Sequence, residues 1–245
     1  MQNYKITLQY DGSRYNGWQR QGNTENTIQG KINEIVGKYL EDDIDIAGSG
    51  RTDAGVHAYG QTASFKTKKC FDKEKFLTEV NNFLPKDIRI LSVEAVDLRF
   101  HARLSAVSKT YEYVIDNGKV ADVFTRKYAY RVSDNLNLES MVQAAMLLTG
   151  TRDYTSFCGN KKFKKSPVRT VSEITIQKEQ DKIYIRFTGN GFLQNMVRIM
   201  AGTLIEVGLG KRTPESMTEI LERKNREAAG MMAPPEGLFL KEVRY

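Results

Sequence analysis

A glycine-rich stretch, residues 48–57, holds the side chains best suited to chemistry. Its three glycines allow close backbone approach, and Arg51 and Asp53 project polar groups from a constrained loop. The stretch lacks the Lys-Ser/Thr ending of a phosphate-binding loop, and Asp53 replaces the third glycine of a dinucleotide fingerprint. Two interpretations stay open: a carboxylate that performs chemistry, or an aspartate that caps its own turn.

A second candidate is an arginine in an apolar helix. Periodicity predicts a helix over about Phe192 to Val207, and Arg198 is the only formal charge between Phe192 and Ile205. A buried guanidinium needs an anionic partner or a phosphate, so we expect an acidic group to face Arg198. If Asp53 is that group, the ion pair favours the charged carboxylate that a nucleophile requires. Alternatively, Arg198 extends along its alkyl stem to solvent.

Two further segments combine basic and aromatic residues. Residues 99–103 lead to Lys109, Tyr111 and Tyr113, which could neutralise phosphates and stack on an unstacked base, or the tyrosines could simply pack on one face of a strand. The second segment is a basic cluster in a predicted exposed loop, suited to phosphate contact or to plain solvation. Its members are Lys161, Lys162, Lys164, Lys165 and Arg169, around Phe163 and Pro167.

Several other kinds of site lack sequence support. His57 and His101 show no metal-ligand spacing, and the Gly-x-Ser-x-Gly elbow of a serine hydrolase is absent, so we expect neither a metal site nor a hydrolase. Cys70 and Cys158 are far apart, which favours reduced thiols. We find no secretory leader and no apolar run long enough for a membrane span, and we expect a cytoplasmic protein.

Length and charge narrow the class of protein. A chain of 245 residues suits one large domain or two ordinary ones. The net charge of +7 favours polyanions, so nucleic acid is a leading partner class, although a basic surface alone does not decide it.

The order of predicted elements indicates an α+β fold in which two related halves have mostly antiparallel sheets flanked by helices. We place the first domain at residues 1–105, with the Asp53 loop, and the second at 106–245, with Tyr111 and the Arg198 helix. The predicted strands are Tyr4–Tyr10, Ile44–Ala47, Gln61–Thr67, Ile88–Val96, Lys109–Gly118, Val168–Gln177, Lys182–Thr188 and Leu238–Val243. The other predicted helices are one containing Ile28 to Leu40, capped by Asn26 or Thr27, then Asp72–Phe83, Leu138–Leu148 and one opened by Pro214.

Five segments, spread in order along the chain, carry a resemblance to a known family. They are Gln9–Gln21, Gly50–Ala58, Phe100–Arg103 with Lys109 and Tyr111, Asn190–Gly202, and Gly237–Tyr245. On these segments the chain resembles the tRNA pseudouridine synthase A family over essentially its whole length.

The resemblance implies a fold, a substrate and a set of roles. The fold is the pseudouridine synthase fold, in a homodimer whose basic clefts hold a tRNA anticodon stem-loop, with no cofactor and no metal; the targets are uridines at tRNA positions 38 to 40. By the same resemblance Asp53 is the nucleophile and Arg198 its ion-pair partner. Tyr111 contacts the flipped uracil and assists proton removal from C5, Arg51 lies beside the displaced nucleotide, and Leu238 in the closing strand contacts substrate.

The sequence departs from the family pattern at Gln194 and Asn195, which occupy predicted helix positions where other members often have histidine. This departure bears on which RNA is the substrate and leaves the predicted reaction unchanged. Two alternatives therefore accompany the main hypothesis: the same chemistry on another RNA, and a non-catalytic RNA-binding protein of the same fold.

Overall fold

The chain divides into two compact units. The computed structural model describes residues 1–160 and 166–245, so the predicted basic cluster at 161–165 lies outside the described residues. The first unit comprises Met1–Val107 with Phe239–Tyr245, and the second comprises Ser108–Leu238. The predicted division at residues 105 and 106 lies two residues before the boundary between these units, and it assigned the whole closing strand to the second domain.

The described residues form ten strands and five α-helices. In chain order these are β1 (Gln2–Tyr10), α1 (Ile28–Leu40), β2 (Ala47–Gly48), β3 (His57–Thr67), α2 (Lys73–Phe83), β4 (Ile88–Val96), β5 (Ser108–Asp116), β6 (Tyr130–Arg131), α3 (Leu138–Leu147), β7 (Gly150–Asp153), β8 (Val168–Glu179), β9 (Lys182–Gly189), α4 (Met196–Gly208), α5 (Ser216–Arg223) and β10 (Leu238–Arg244).

In the first unit the strands lie in the order β4-β1-β3-β10, and β2 also pairs with β3. The pairs β4–β1 and β1–β3 are antiparallel, whereas β10 runs parallel to β3 through Phe239 opposite His57 and Leu240 opposite Ala58. This pairing explains why residues from Phe239 onward belong to the first unit. Order along the chain does not reveal such a partner, because the two strands are far apart in sequence.

Helix α1 shows why the local sequence folds as predicted. Its apolar residues Ile28, Ile32, Val36 and Leu40 are buried, at the spacing that aligns side chains on one helix face. The Thr27 hydroxyl caps its first turn by accepting a hydrogen bond from the Gly30 amide, which settles the predicted choice between Asn26 and Thr27.

In the second unit the strands lie in the order β5-β9-β8-β7, all antiparallel, and β6 pairs parallel with β5. Strands β8 and β9 form the predicted hairpin, whose turn places Gln180 at φ 54°. On β9, Ile183, Ile185 and Phe187 are fully buried and alternate with partly exposed residues, as a period of two requires.

Helix α4 is buried, as predicted, but it begins later than predicted. All its residues except Glu206 are buried. The predicted start at Phe192 is wrong because Asn195 adopts a left-handed conformation, φ 59°, and the Met196 amide closes a turn onto the Leu193 carbonyl. Gln194 and Asn195 therefore lie in the turn before the helix, not at helix positions.

Both units combine helices with a mostly antiparallel sheet. The predicted α+β class, with sheets flanked by helices, is thereby confirmed. Each unit opens with a nine-residue strand, β1 or β5.

Candidate active site

Asp53 begins a tight turn on the loop that joins β2 to β3. The Val56 amide donates to the Asp53 carbonyl at 3.2 Å, and Gly55 takes φ 78°, a left-handed conformation that favours glycine. Burial alternates along the loop: Arg51 is exposed, Thr52 is buried and Asp53 is half-buried. The loop thus anchors itself through Thr52 and leaves the polar groups on either side accessible.

The loop between β1 and α1 holds the backbone around Asp53 from both sides. The Trp18 amide donates to the Thr52 carbonyl at 3.0 Å, and the Gly55 amide donates to the Tyr15 carbonyl at 3.3 Å. Gly17 lies so close to the turn that a Cβ on it would stand 2.6 Å from the Thr52 carbonyl oxygen. A side chain at Gly17 would therefore push the Asp53 turn away.

Two more glycines allow this close packing. A Cβ on Gly12 would stand 2.0 Å from the Val56 carbonyl oxygen, and a Cβ on Gly48 would stand 2.5 Å from the buried Trp18 ring. The segment Gln9–Gln21, one of the five that carry the family resemblance, therefore has a physical role: it packs directly against the Asp53 turn. The sequence analysis identified this segment only by similarity.

A buried hydrogen-bond network lies beneath the same turn. Gln61 on β3 is fully buried; its Oε1 accepts from the Ser49 hydroxyl at 2.7 Å and its Nε2 donates to the Gly50 carbonyl at 3.0 Å. The Tyr10 hydroxyl lies 3.5 Å from Gln61 Nε2 and 2.8 Å from Thr52 Oγ1. Burial raises the pKa of Tyr10, and its hydrogen bonds with Thr52 and Gln61 oppose the rise, so the hydroxyl stays neutral.

Tyr111 lies on β5 in the second unit. It is 8% exposed, pairs with Phe187 across β9, and meets the ring of Phe192 edge-on at 5.3 Å. Tyr113, two residues further on, shares its face and is fully buried, with its hydroxyl donating to the Pro234 carbonyl at 2.9 Å. Packing on one face of the strand therefore explains Tyr113. Tyr111 packs on the same face but keeps a small solvent-accessible surface.

Arg198 lies in the first turn of α4. It is 8% exposed, which rules out extension into solvent. Its Nε donates to the Ala233 carbonyl at 2.8 Å, and the Ala233 amide donates back to the Arg198 carbonyl at 3.0 Å. Since Nε is held by a carbonyl, an anion would meet this guanidinium through its terminal nitrogens.

The charge of Arg198 acts on its surroundings in the second unit. Burial raises the pKa of Tyr113, Glu236 raises it further, and Arg198 opposes the rise. The segment that holds Arg198, residues 230–233, packs tightly on α4, because a Cβ on Gly202 would stand 2.0 Å from the Met231 carbonyl oxygen. The Gly230 amide also donates to Thr203 Oγ1 at 3.0 Å.

The predicted site residues divide between the two units. Arg51 and Asp53 share one loop in the first unit, whereas Tyr111, Arg198 and the buried Leu238 belong to the second. The pairing of Asp53 with Arg198 joins residues of different units and stays a prediction.

The described residues contain neither a cluster suited to a metal ion nor a helix suited to a membrane span. Within 1–160 and 166–245, no three or more His, Cys, Asp or Glu side chains gather where they could hold a metal ion. The helices in this part of the chain are too short or too polar to span a membrane.

Comparison with known proteins assigns the family. The model of a family described as tRNA pseudouridine synthase matches residues 6–104 and 144–245. The chain belongs to the tRNA pseudouridine synthase family. The matched ranges contain Arg51, Asp53, Arg198 and Leu238, whereas Tyr111 lies between them.

Curated relatives match the chain over its full length. A tRNA pseudouridine synthase A of Bacillus sp. (strain KSM-64) is 48% identical, and a tRNA pseudouridine synthase A 2 of Bacillus anthracis is 45% identical; both alignments span 100% of each chain. A tRNA pseudouridine synthase A 2 of Clostridium tetani is 44% identical over 99% of this chain and 98% of its own. A chain from the crystal structure of a Cbf5-Nop10-Gar1 complex aligns over 97% of this chain and 47% of its own, at 13% identity and a TM-score of 0.35, which is too distant to support an argument.

Membership of the tRNA pseudouridine synthase family confirms the resemblance and the predicted class of enzyme, an isomerase that acts on tRNA. Sequence reasoning missed the residues that support the site rather than those proposed to react. Gln61, Tyr10 and Ala233 bond to residues far away in the chain. The sequence signal that could have pointed to them was the glycine content of the segments that pack together around Asp53 and Arg198.

Proposed function

We propose that this member of the tRNA pseudouridine synthase family converts uridine to pseudouridine at positions 38, 39 and 40, in the anticodon stem-loop of tRNA, with Asp53 as the nucleophile. The observation that carries the proposal is the Asp53 turn. Its backbone is held on both sides through Thr52 and Gly55, while Asp53 as a whole is half-buried and not fully enclosed. A nucleophile requires this combination of fixed position and access.

The chemistry suits the residues present. Uridine and pseudouridine contain the same atoms: the bond between ribose C1′ and uracil N1 breaks, a bond between C1′ and C5 forms, the proton on C5 leaves, and N1 gains a proton. Nothing is oxidised, reduced or hydrolysed in this balance. The protein supplies a carboxylate, extrusion of the base and a pocket that retains the detached uracil while it turns. Asp53 adds either to C1′ or to C6 of the base and is released when the new bond is complete.

The other proposed roles follow the family resemblance. Arg198 would be the ion-pair partner of Asp53, and its firm attachment to Ala233 supports a fixed guanidinium. Tyr111 would contact the flipped uracil and assist removal of the C5 proton, which its 8% exposure permits. Arg51 would lie beside the displaced nucleotide, consistent with its exposure, and Leu238 would contact the substrate.

The proposed substrate agrees with the charge of the chain. A net charge of +7 favours a polyanion such as the anticodon stem-loop. From the family resemblance we propose that the protein acts as a homodimer, and from the sequence pattern we propose that it is cytoplasmic.

The test uses the purified full chain and an unmodified tRNA transcript, with pseudouridine mapped by position. We expect conversion at positions 38 to 40 in wild type, and none with Asp53→Ala or Asp53→Asn, while tRNA binding remains measurable. Asp45→Asn, at an exposed aspartate of the first unit, is the control and should keep full activity. Conversion by Asp53→Asn at a rate near that of the wild type contradicts the mechanism.

The substrate needs a separate experiment. RNA from cells lacking the protein should lose pseudouridine at tRNA positions 38 to 40 and recover it when the gene is restored. Loss confined to ribosomal or another RNA would replace the proposed substrate and leave the chemistry unchanged.

A further inference from the structure

The support beneath the Asp53 turn depends on one buried amide. The Gln61 side chain is fully enclosed by protein, so each of its polar atoms must find a partner there or incur a desolvation cost. Its Oε1 accepts from Ser49, and its two amide hydrogens are directed to Gly50 and Tyr10. The side chain is fully committed within its own unit.

Two of these partners, Ser49 and Gly50, are consecutive residues of the loop that carries Asp53, and the third, Tyr10, lies on β1. Ser49 and Gly50 immediately precede Arg51, and Tyr10 carries the contact on to Thr52, immediately before Asp53. The Tyr10 hydroxyl, which accepts from Gln61, also shares a hydrogen bond with Thr52 Oγ1, in which either oxygen can be the donor. One amide on β3 therefore determines where the backbone enters the reactive turn and, through Tyr10, where Thr52 lies.

We infer that Gln61 is a positioning residue for the reaction: its buried amide, with the hydroxyl of Tyr10, holds the loop so that Asp53 is presented at a fixed place. This inference rests on the proposed function of Asp53. The amide bonds to the residues around Arg51 and Asp53, so it acts through the loop. Its loss should reduce the rate of the chemical step more than it weakens tRNA binding.

The main variant is Gln61→Met, which keeps the length of the side chain and removes its polar atoms. A matched control exists in the same unit: Gln29 is also buried, its Nε2 donates to the Ile46 carbonyl at 2.9 Å, and its Oε1 accepts from the Arg20 amide at 2.8 Å. Gln29→Met removes an equivalent amide whose partners are Gln19, Arg20 and Ile46 and not the residues 49–53 around Asp53. Both variants leave buried backbone groups unpaired, so both should lower the midpoint of denaturant unfolding to a similar extent.

Activity should separate the two variants. Gln61→Met should lower kcat on unmodified tRNA by roughly 10- to 100-fold, the scale expected when a reacting group shifts by about 1 Å. Its KM and tRNA dissociation constant should change by less than about threefold, and Gln29→Met should keep kcat within about threefold of wild type. Equal kcat losses in the two variants, or an unchanged kcat in Gln61→Met, would overturn the inference.

Tyr10→Phe provides a second, milder variant that retains the ring. It should lower kcat in the same direction but by less, and combining it with Gln61→Met should cost less than the product of the two effects, because both act on one network. If Gln61→Met does not fold, Tyr10→Phe decides: an unchanged kcat overturns the inference.

Asp53→Asn, measured in parallel, separates the positioning role of Gln61 from the proposed role of Asp53 as nucleophile. An inactive Asp53→Asn beside a fully active Gln61→Met removes only the positioning role. An active Asp53→Asn removes the proposed function itself.

Discussion

Gly202→Ala offers a direct test of how Arg198 is held. A Cβ at this position would stand 2.0 Å from the Met231 carbonyl oxygen and 3.1 Å from the Ala233 amide nitrogen. Both are backbone atoms, so no side-chain rotation relieves the clash. Segment 230–233 must move away from α4 by about 1.4 Å to bring the separation from 2.0 Å to the roughly 3.4 Å of ordinary contact.

The expected cost follows from the contacts that this movement disturbs. Four hydrogen bonds join the segment to α4: two between Arg198 and Ala233, one from Gly230 to Thr203, and one from the Met231 amide to Glu206 Oε1. Overpacking costs about 1 to 3 kcal/mol, and each weakened hydrogen bond adds up to about 1 kcal/mol. Replacing a helical glycine by alanine by itself stabilises the helix by about 1 kcal/mol, which offsets part of this loss. We therefore expect a net loss of about 2 to 3 kcal/mol in the free energy of unfolding.

Gly208→Ala, on the same helix, is the matched control. Its Cβ would approach Met141 Sδ at 2.7 Å and Leu136 Cδ2 at 2.9 Å, which are ends of flexible side chains that can rotate. We expect its free energy of unfolding to stay within about 1 kcal/mol of wild type.

Urea unfolding followed by far-ultraviolet circular dichroism measures both variants. Gly202→Ala should also lower kcat/KM on tRNA more than Gly208→Ala does, because the Arg198 guanidinium moves with Ala233. A Gly202→Ala protein as stable as the wild type, or equal losses in the two variants, refutes the reasoning about this contact.

Three further perturbations have defined outcomes. Thr27→Ala removes the cap on the Gly30 amide and should cost about 1 kcal/mol in chemical denaturation, whereas Thr27→Ser should cost less; equal losses would mean that capping is not the cause. Gly48→Ala drives a Cβ into the Trp18 ring and should cost about 1 to 3 kcal/mol with altered tryptophan fluorescence, so an unchanged spectrum and midpoint would count against this packing. Burial raises the pKa of Tyr154 to about 12, so its stabilising contribution is complete below the unfolded value of about 10 and is lost as pH rises toward 12; unfolding midpoints across that range should fall less for Tyr154→Phe, and parallel curves would argue against the shift.

Local sequence was sufficient for elements whose signals lie within a few residues. The apolar spacing from Ile28 to Leu40 and a nearby capping residue predicted α1, and the predicted strand Ile88–Val96 matches β4 at both ends. Such elements follow from the period of buried side chains and from caps, which act between near neighbours. The candidate residues Asp53 and Arg198 could be selected for a similar reason, because a carboxylate among glycines and a lone charge in an apolar helix are visible in the sequence itself.

Tertiary structure decided what depends on residues far apart in the chain. The left-handed Asn195 shortened the predicted helix, and Phe239 joined the first unit by pairing with His57. The supports of the candidate site are of this kind as well, since Gln61 is 51 residues from Tyr10 and Arg198 is 35 residues from Ala233. The sequence by itself determined the family, the buried α4 and the candidate side chains Asp53 and Arg198. Only folding determined which amide and which carbonyl hold these residues, because hydrogen-bond partners are selected by proximity in space and leave no periodic pattern in the chain.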